Sequence, residues 1–203
     1  MSDTKEKILL ASLSLFARDG YEAVSVSSIA SSLGITKGAL YKHYKNKRDI
    51  FDSIVERMYQ IDEKRAENHN VPKNEYDKSP SDYENTSCKS LKKFTLSQFE
   101  FWTEDEFAVN FRKMLVLEQY RNEKMRDLYK ICIVTGPVKY TEDLFCKMIK
   151  NGILKEGDPK CMALNFYAPL YLLINASDCT DKKHEYKKML ENHINSFFEE
   201  KLK

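Results

Sequence analysis

A chain of 203 residues is long enough to bury a core in one large domain or in two smaller ones, and we expect two. Its 33 basic and 31 acidic residues give a net charge of +2, so the overall composition gives no reason to expect a nucleic-acid partner. The first residues lack the apolar stretch of a signal peptide, and the longest apolar run, 163–174, is too short for a membrane span and contains Pro169. We therefore expect a soluble cytoplasmic protein.

The charge is unevenly distributed along the chain. Residues 1–50 contain eight Lys or Arg and five acidic residues, a net charge of +3, which leaves −1 for the rest. Residues 36–48 hold five of those basic residues and no acidic one. This cationic stretch predicts where an anionic partner would bind.

Hydrophobic spacing in the first part of the chain predicts four helices. They are expected over 3–19, 26–33, 37–44 and from about 47 onward. Ser25, Thr36 and Asn46 supply side-chain oxygens that can cap the last three helices at their N-termini. Gly20 and Gly34 supply the left-handed residues that end the first two.

The rest of the chain is predicted to be helical as well. Between 63 and 87 the periodicity fades, and Pro72 and Pro80 break any continuous helix, so we expect an exposed loop with the tail of the fourth helix running into it. Further helices are predicted from about 89, then over 104–121, 125–134, 138–150, 158–176 and from 181 onward. Because we find no alternating apolar and polar run, we expect no strand and an all-α fold.

Two short helices joined by a tight turn at Gly34 predict a helix-turn-helix that packs against the first and fourth helices. The side chains expected to face inward are Ile29, Ala30, Leu33, Ile35 and Leu40. The outward side chains are hydroxyls, cations and one aromatic ring, which suit phosphates and base edges in the major groove of DNA.

Gly38 lies inside the second short helix, where glycine costs about 0.5–1 kcal/mol relative to alanine. Either the helix approaches DNA so closely that a side chain would collide, or it packs closely against another helix, or the glycine is simply tolerated at this position. Lys45, Lys47 and Arg48 likewise allow two interpretations, a solvated charge cluster or contacts to phosphates. Their place directly after the second short helix favours phosphate contacts.

These residues closely resemble the TetR family of one-component regulators, over residues 4–55. The resemblance depends on a first helix with LF before RDGY, followed by VSSIASSLGITKGALYKHYKNKRDIF. The tyrosine, histidine and lysine of the family's YxHF-xxK pattern fall on Tyr41, His43 and Lys47. By that likeness Tyr41 and Lys47 would clamp phosphates, and His43 would lie near the DNA backbone or base edges.

The sequence departs from the family pattern at two positions. Tyr44 replaces the usual phenylalanine and keeps the ring, and Ser27 stands where the family often has arginine, which weakens a DNA contact expected there. The DNA contacts expected from the surface and the resemblance together come from Ser25, Ser27, Thr36, Lys37, Gly38, Ala39, Tyr41, His43, Lys45 and Lys47.

The resemblance implies an all-α protein of about nine helices. It would comprise a three-helix helix-turn-helix domain over 1–47 and a helical effector-binding and dimerisation domain over 48–203, linked by helix four. The implied function is a sequence-specific transcriptional regulator, a homodimeric repressor that leaves a palindromic operator on double-stranded DNA when a small-molecule effector binds. The alternative is an activator or an architectural DNA-binding protein with the same DNA-binding domain.

One set of apolar side chains is a candidate dimer interface, and a second set is a candidate for the walls of an effector pocket. Stripes on the last two helices predict a dimer interface of Tyr167, Tyr171, Ile174, Leu190, Ile194 and Phe197, with an ordinary core as the alternative. Aromatic residues in the middle of the chain predict pocket walls at Trp102, Phe111, Phe145 and Phe166, again with core as the alternative.

We looked for catalytic and metal-binding patterns and expect neither an enzyme nor a cofactor. His69, His184 and His193 are isolated, and no glycine-rich phosphate loop, H-E-x-x-H or G-x-S-x-G string occurs. The cysteines are scattered singly without metal-ligand spacing, which predicts reduced thiols and no metal. They are Cys88, Cys132, Cys146, Cys161 and Cys179.

Overall fold

The computed structural model describes residues 3–73, 76, 78–84 and 86–203. Its α-helices are α1 (Asp3–Asp19), α2 (Val26–Ser32), α3 (Lys37–Tyr41), α4 (Lys47–His69), α5 (Cys88–Glu104), α6 (Glu106–Glu118), α7 (Glu123–Tyr129), α8 (Thr135–Lys150), α9 (Pro159–Ala176) and α10 (Lys183–Lys201). Over this described part of the chain the only β geometry is an isolated bridge between Leu154 and Leu202, so the predicted all-α fold is confirmed.

Short irregular turns complete the helices. Two 3₁₀ turns cover Pro80–Tyr83 and Ser177–Cys179, and a π turn covers Lys130–Val134. The π turn joins α7 directly to α8, so the chain is helical without a break from 123 to 150. With that segment taken as one helix, the described residues form nine continuous α-helical segments, in agreement with the expected number.

Several helix boundaries differ from the prediction. Helix α3 ends at Tyr41 rather than at 44 because the chain tightens into a turn, in which the His43 amide donates to the Leu40 carbonyl at 2.9 Å. Helix α4 continues to His69, so its tail runs into the predicted loop, as expected. Asn70 then takes the left-handed conformation, with φ of 51°, that ends a helix.

Helix α8 begins before Pro137, whereas the prediction placed this proline ahead of the helix. Proline has no amide hydrogen, so the carbonyl of Ile133, four residues earlier, loses its usual helical donor. The hydroxyl of Tyr167 donates to this carbonyl at 2.6 Å. A side chain of α9 therefore stabilises the helix at the point where the proline would interrupt it.

The chain forms two compact units. Unit 1 comprises the residues up to Ile61 together with Glu106–Tyr129, and unit 2 comprises Asp62–Asp105 together with Lys130–Lys203. The expected division at 47/48 followed the functional domains, whereas the compact units divide α4 between them and group α6 and α7 with the N-terminal helices. Among the described residues, no helix is both long and apolar enough to cross a membrane.

The core of unit 1 forms around α1. Helix α1 buries Ile8, Leu9, Ser12, Leu13, Phe16 and Ala17, and it packs against α2 and α6. Of the side chains predicted to face inward in the helix-turn-helix, Ile29, Ala30 and Leu40 are buried, and Leu33 and Ile35 are half-buried. These contacts hold the two short helices, which are too short to be stable alone.

The end of α1 meets a buried charged residue of α6. Gly20 has a positive φ of 88°, and a Cβ at this position would lie 2.5 Å from Oε1 of Glu118. The Glu118 side chain is fully buried, and neither carboxylate oxygen has a hydrogen-bond partner among the described residues. Gly20 thus supplies both the left-handed backbone and the space that Glu118 occupies.

We expect Gly20→Ala to lower the free energy of unfolding by about 1–2 kcal/mol for the left-handed backbone, and further for the displacement of Glu118. Gly34→Ala is the matched control, because Gly34 also has a positive φ, 66°, but nothing lies within 4 Å of its added Cβ. Urea denaturation of both variants separates the two contributions. Equal destabilisation by both substitutions would show that displacing Glu118 does not change the free energy of unfolding.

Unit 2 has a core rich in aromatic rings. Helices α8 and α9 pack closely on each other, and α5 and α10 pack on α9. Phe145 stacks on Phe197 with the ring centroids 5.4 Å apart, and Phe166 meets Phe197 edge to face at 5.1 Å. These rings bury a large apolar area and hold α8, α9 and α10 together.

Candidate nucleic-acid interface

Local hydrogen bonds fix where α2 and α3 begin. Ser25 and Ser28 cap α2 reciprocally, because the Ser28 amide donates to Oγ of Ser25 at 3.1 Å and the Ser25 amide donates to Oγ of Ser28 at 2.9 Å. The Ala39 amide donates to Oγ1 of Thr36 at 3.1 Å. The predicted caps are confirmed, and the side chains of Ser25 and Thr36 remain exposed beside them.

Helix α4 is capped in a similar way. The Asp49 amide donates to Oδ1 of Asn46 at 2.9 Å, and the Lys45 amide donates to Oδ2 of Asp49 at 2.8 Å. The Asp49 carboxylate therefore lies at the positive end of the α4 dipole, as predicted. This arrangement also fixes the backbone at Lys45 while its side chain extends into solvent.

Three cations form an exposed surface on and after α3. We call Lys37, Lys42 and Lys45 the cationic surface. Over the described part of the chain, none of their ammonium groups lies within 4.0 Å of a carboxylate. Arg48, by contrast, pairs with Asp52 at 2.9 Å. The cationic surface therefore keeps its charge available for an anionic partner, and it includes Lys42, which the expected contact set omitted although its charge was visible in the sequence.

The structure tests one of the three interpretations of Gly38, close packing against another helix. The nearest atom to a Cβ added at Gly38 is Oγ1 of Thr36, at 3.8 Å, an ordinary van der Waals distance. Nothing in unit 1 packs closely enough to require glycine here, and the residue is exposed. The internal packing interpretation is therefore excluded, whereas close approach to DNA and simple tolerance of the glycine both remain.

The remaining predicted contact residues lie at different depths. Tyr41 is 50% exposed, whereas Ser27, Ala39 and His43 are half-buried. Tyr44 is buried in unit 1, and its hydroxyl donates to the carbonyl of Lys5 at 3.3 Å. Desolvation by burial, with smaller contributions from nearby acidic groups, raises the pKa of Tyr44 to about 12. Tyr44 thus belongs to the core, whereas the other four residues keep accessible surface.

Lys47 has internal partners. Its Nζ donates to the carbonyl of Tyr21 at 2.7 Å and lies 4.3 Å from the centroid of the Tyr21 ring. The side chain is half-buried, and it joins the start of α4 to the turn that follows α1. The phosphate contact expected of Lys47 remains a prediction, and an additional role in holding this turn follows from the geometry.

We expect Lys47→Ala to lower the free energy of unfolding by about 1–2 kcal/mol, because it removes a charge-assisted hydrogen bond and a cation–π contact. Thermal unfolding measures this loss, and Lys45→Ala, which removes an exposed lysine nearby, is the control. The dependence of DNA affinity on salt concentration tests the phosphate contact separately, since losing one contact reduces the slope by about one. Unchanged thermal stability would contradict the structural role, and an unchanged slope would contradict the phosphate contact.

The predicted pocket residues do not come together in one unit. Phe111 is buried in unit 1, whereas Trp102, Phe145 and Phe166 belong to unit 2. Phe145 and Phe166 are fully buried among the core rings, and Trp102 is half-buried next to Phe101, with the ring centroids 5.1 Å apart. Within this set, Trp102 is the residue that retains accessible surface for a ligand.

Four of the six predicted interface side chains require correction. Ile174, Leu190, Ile194 and Phe197 are buried in the core of unit 2. They cannot contact a second copy, because the chain's own helices cover them. Tyr167 and Tyr171 are half-buried. The apolar side chains exposed on the same two helices are Leu164, Leu172 and Met189, at 55%, 64% and 56%.

A capped pair of short helices, an exposed cationic surface on and directly after the second of them, and an otherwise helical chain define a helix-turn-helix protein. Residues 8–54 match the family model of bacterial regulatory proteins of the tetR family. The resemblance predicted from the sequence is confirmed over these residues, which are similar to the N-terminal domain of tetR-family regulators.

The curated relatives share this N-terminal domain with the chain. Over 56 residues the chain is 43% identical to the uncharacterized HTH-type transcriptional regulator YerO of Bacillus subtilis, and over 54 residues it is 41% identical to the HTH-type transcriptional regulator AcrR of Shigella flexneri. These matches cover 28% and 27% of the chain, and 19% and 25% of the relatives. The chain thus matches about a quarter or less of the length of these two relatives.

Similarity to a solved structure extends over the whole fold. The structure of SmeT, the repressor of a Stenotrophomonas maltophilia multidrug efflux pump, superimposes with a TM-score of 0.66 over 100% of this chain and 92% of SmeT, at 21% sequence identity. At this identity the likeness establishes the fold, including the helical region that follows the helix-turn-helix.

Proposed function

We propose that the protein is a sequence-specific DNA-binding transcriptional regulator, and that it acts as a repressor. The observation that carries this proposal is the cationic surface, whose first residue, Lys37, directly precedes Gly38. A Cβ added at Gly38 would meet only Oγ1 of Thr36, at 3.8 Å, so the chain leaves space at this position. Ammonium groups without internal ion pairs neutralise phosphates, and a glycine in the second helix allows its backbone to approach the DNA closely. The TetR-family match over the same residues supports this interpretation.

We further propose that the protein binds a palindromic operator as a homodimer in the cytoplasm. The exposed Leu164 and Leu172 on α9 and Met189 on α10 supply an apolar surface for the partner copy. In such a dimer the two α3 helices would contact half-sites about 34 Å apart, one turn of DNA.

A small-molecule effector is the third part of the proposal. SmeT has been solved in a complex with triclosan, and this structure superimposes on the chain with a TM-score of 0.68. We propose that an effector binds within unit 2 and acts on DNA affinity through α4, which contributes residues to both units. In this proposal the protein binds DNA and an effector in order to regulate transcription, and it does not catalyse a reaction.

The experiment is a selection of binding sites from random duplex DNA with the purified full-length protein at physiological salt, followed by affinity measurements. We expect an inverted repeat that is bound at least about a thousandfold more tightly than random DNA. The enrichment of single half-sites would contradict the homodimer.

The alternative of an architectural DNA-binding protein makes a different prediction for the same experiment. It predicts no enriched motif and affinities that depend steeply on salt but not on sequence. Transcription from a promoter that contains the selected site then separates repression from activation, since a repressor lowers the transcript level when the protein is added.

A further inference from the structure

The turn between α6 and α7 presents two neighbouring side chains on the surface of unit 1. Tyr120 is 89% exposed, and Arg121, which follows it, is exposed as well. Over the described part of the chain, no carboxylate oxygen lies within 4.0 Å of the Arg121 guanidinium. Arginine and tyrosine side chains both donate hydrogen bonds to phosphate oxygens, so this pair suits an anionic partner.

Hydrogen bonds fix the backbone of this turn. The amides of Arg121 and Asn122 both donate to the Glu118 carbonyl, at 2.9 Å and 2.8 Å. Oδ1 of Asn122 accepts from the Met125 amide at 3.2 Å, which caps the start of α7. The turn therefore has a defined conformation, and less backbone freedom is lost when its side chains bind a partner.

The same turn contacts two segments of the N-terminal domain. Nδ2 of Asn122 donates to Oε1 of Glu22, which lies between α1 and α2, at 3.4 Å. Lys124 on α7 pairs with Asp52 on α4 at 3.3 Å. Both contacts lie within unit 1, so they place the α6–α7 turn against the turn that precedes the helix-turn-helix.

Lys47 connects this region with the candidate nucleic-acid interface. Its Nζ donates to the carbonyl of Tyr21 at 2.7 Å and to that of Glu22 at 3.4 Å. Glu22 thus contacts both Lys47, for which a phosphate contact is predicted, and Asn122, the residue after Arg121. Duplex DNA carries one negative charge per about 1.7 Å of its axis, so a cation beside one phosphate contact has further phosphates within reach.

Two acidic side chains near the turn affect its charge. Glu123 pairs with Arg126 at 3.0 Å, so its charge is compensated within α7. The Glu22 carboxylate is bound by the neutral amide of Asn122, so its charge opposes that of Arg121 and limits the effect expected of a single arginine.

We propose that Tyr120 and Arg121 form a second DNA-contacting site, which binds phosphates next to those that the helix-turn-helix contacts. Arg121 supplies a charge-assisted hydrogen bond and the Tyr120 hydroxyl a neutral one. Both are contacts to the DNA backbone, so they strengthen binding to every sequence alike. The site lies outside residues 8–54, which match the family model, and it rests on the proposed function in that its partner is DNA.

The test measures the affinity of the full-length protein for a duplex of random sequence at several salt concentrations, by fluorescence anisotropy. We expect Arg121→Gln to reduce the slope of log affinity against log salt concentration by about one per bound chain. At physiological salt this corresponds to a loss of affinity of about threefold to tenfold. Lys113→Gln is the matched control, because it removes one positive charge from an exposed residue about two helical turns earlier on α6, and it should leave the slope unchanged.

Tyr120→Phe tests the second side chain, because it removes the hydroxyl and keeps the ring. We expect it to weaken binding about twofold to tenfold without a change of the salt slope, since no charge is lost. Thermal unfolding should show all three variants to be as stable as the unmodified protein, since the substituted side chains are exposed.

The possible failures of this experiment are distinguishable. If the unmodified protein binds the duplex and Arg121→Gln keeps its slope and affinity, the second site is refuted and the proposed function is not. A slope that Lys113→Gln reduces equally would also refute the second site, because it would show a general effect of net charge. If the unmodified protein does not bind duplex DNA, the proposed function is refuted and the second site with it.

Discussion

Gly38→Ala is expected to weaken binding to the selected operator at least about tenfold while the protein becomes no less stable. Within unit 1 the added methyl group meets only Oγ1 of Thr36 at 3.8 Å, so it fits without displacement. Alanine also stabilises a helix interior by about 0.5–1 kcal/mol relative to glycine. The loss of affinity would therefore come from the DNA side alone, where the methyl group collides with a base edge or a phosphate.

Fluorescence anisotropy with a labelled operator and thermal unfolding together test this expectation. Ser14→Ala is the control, because Ser14 is exposed on α1 and the substitution raises helix propensity away from the cationic surface. Undiminished operator affinity of Gly38→Ala would remove the argument that α3 approaches DNA closely. A lower melting temperature would instead show that the glycine serves the fold.

The double substitution Leu164→Glu and Leu172→Glu is expected to convert the proposed dimer into a monomer and to weaken operator binding by about a hundredfold or more. These leucines are 55% and 64% exposed, and with Ala168 between them they follow the four-residue spacing of one face of α9. Two carboxylates on this face would be desolvated in a dimer interface without partners, at a cost of several kcal/mol. Each monomer would then contact a single half-site.

Light scattering after size exclusion measures the mass, which is 23.8 kDa for one chain. Leu117→Glu provides the control, because Leu117 on α6 is similarly exposed, at 43%, but lies in unit 1. A double variant that remains dimeric would place the interface on another surface, and a monomeric unmodified protein would refute the homodimer itself.

The helix-turn-helix could be predicted closely because its signals are local. Ser25 and Thr36 act within three residues of their own positions, and the hydrophobic spacing of α1 directly gives the face that it buries. The end of α3 was predicted three residues too late, since Tyr44 continues the apolar spacing although the chain has already turned. The packing of Tyr44 against the start of α1 is a tertiary contact that periodicity does not report.

Unit 2 could be predicted less well because its contacts join distant segments. Leu190 and Ile194 form a regular stripe, but a stripe does not show whether the chain itself or a second copy covers it.

Tyr44 carries a hydroxyl where the family usually has phenylalanine, and this hydroxyl makes the free energy of unfolding depend on pH in the alkaline range. In the unfolded chain a tyrosine loses its proton near pH 10, whereas burial keeps Tyr44 protonated until about pH 12. Between these values the unfolded state binds fewer protons than the folded one, so stability falls as the pH rises. Tyr44→Phe should remove this part of the fall, which denaturation midpoints at pH 8 and pH 11 would reveal. A fall of the same size in both proteins would assign the alkaline sensitivity to other groups.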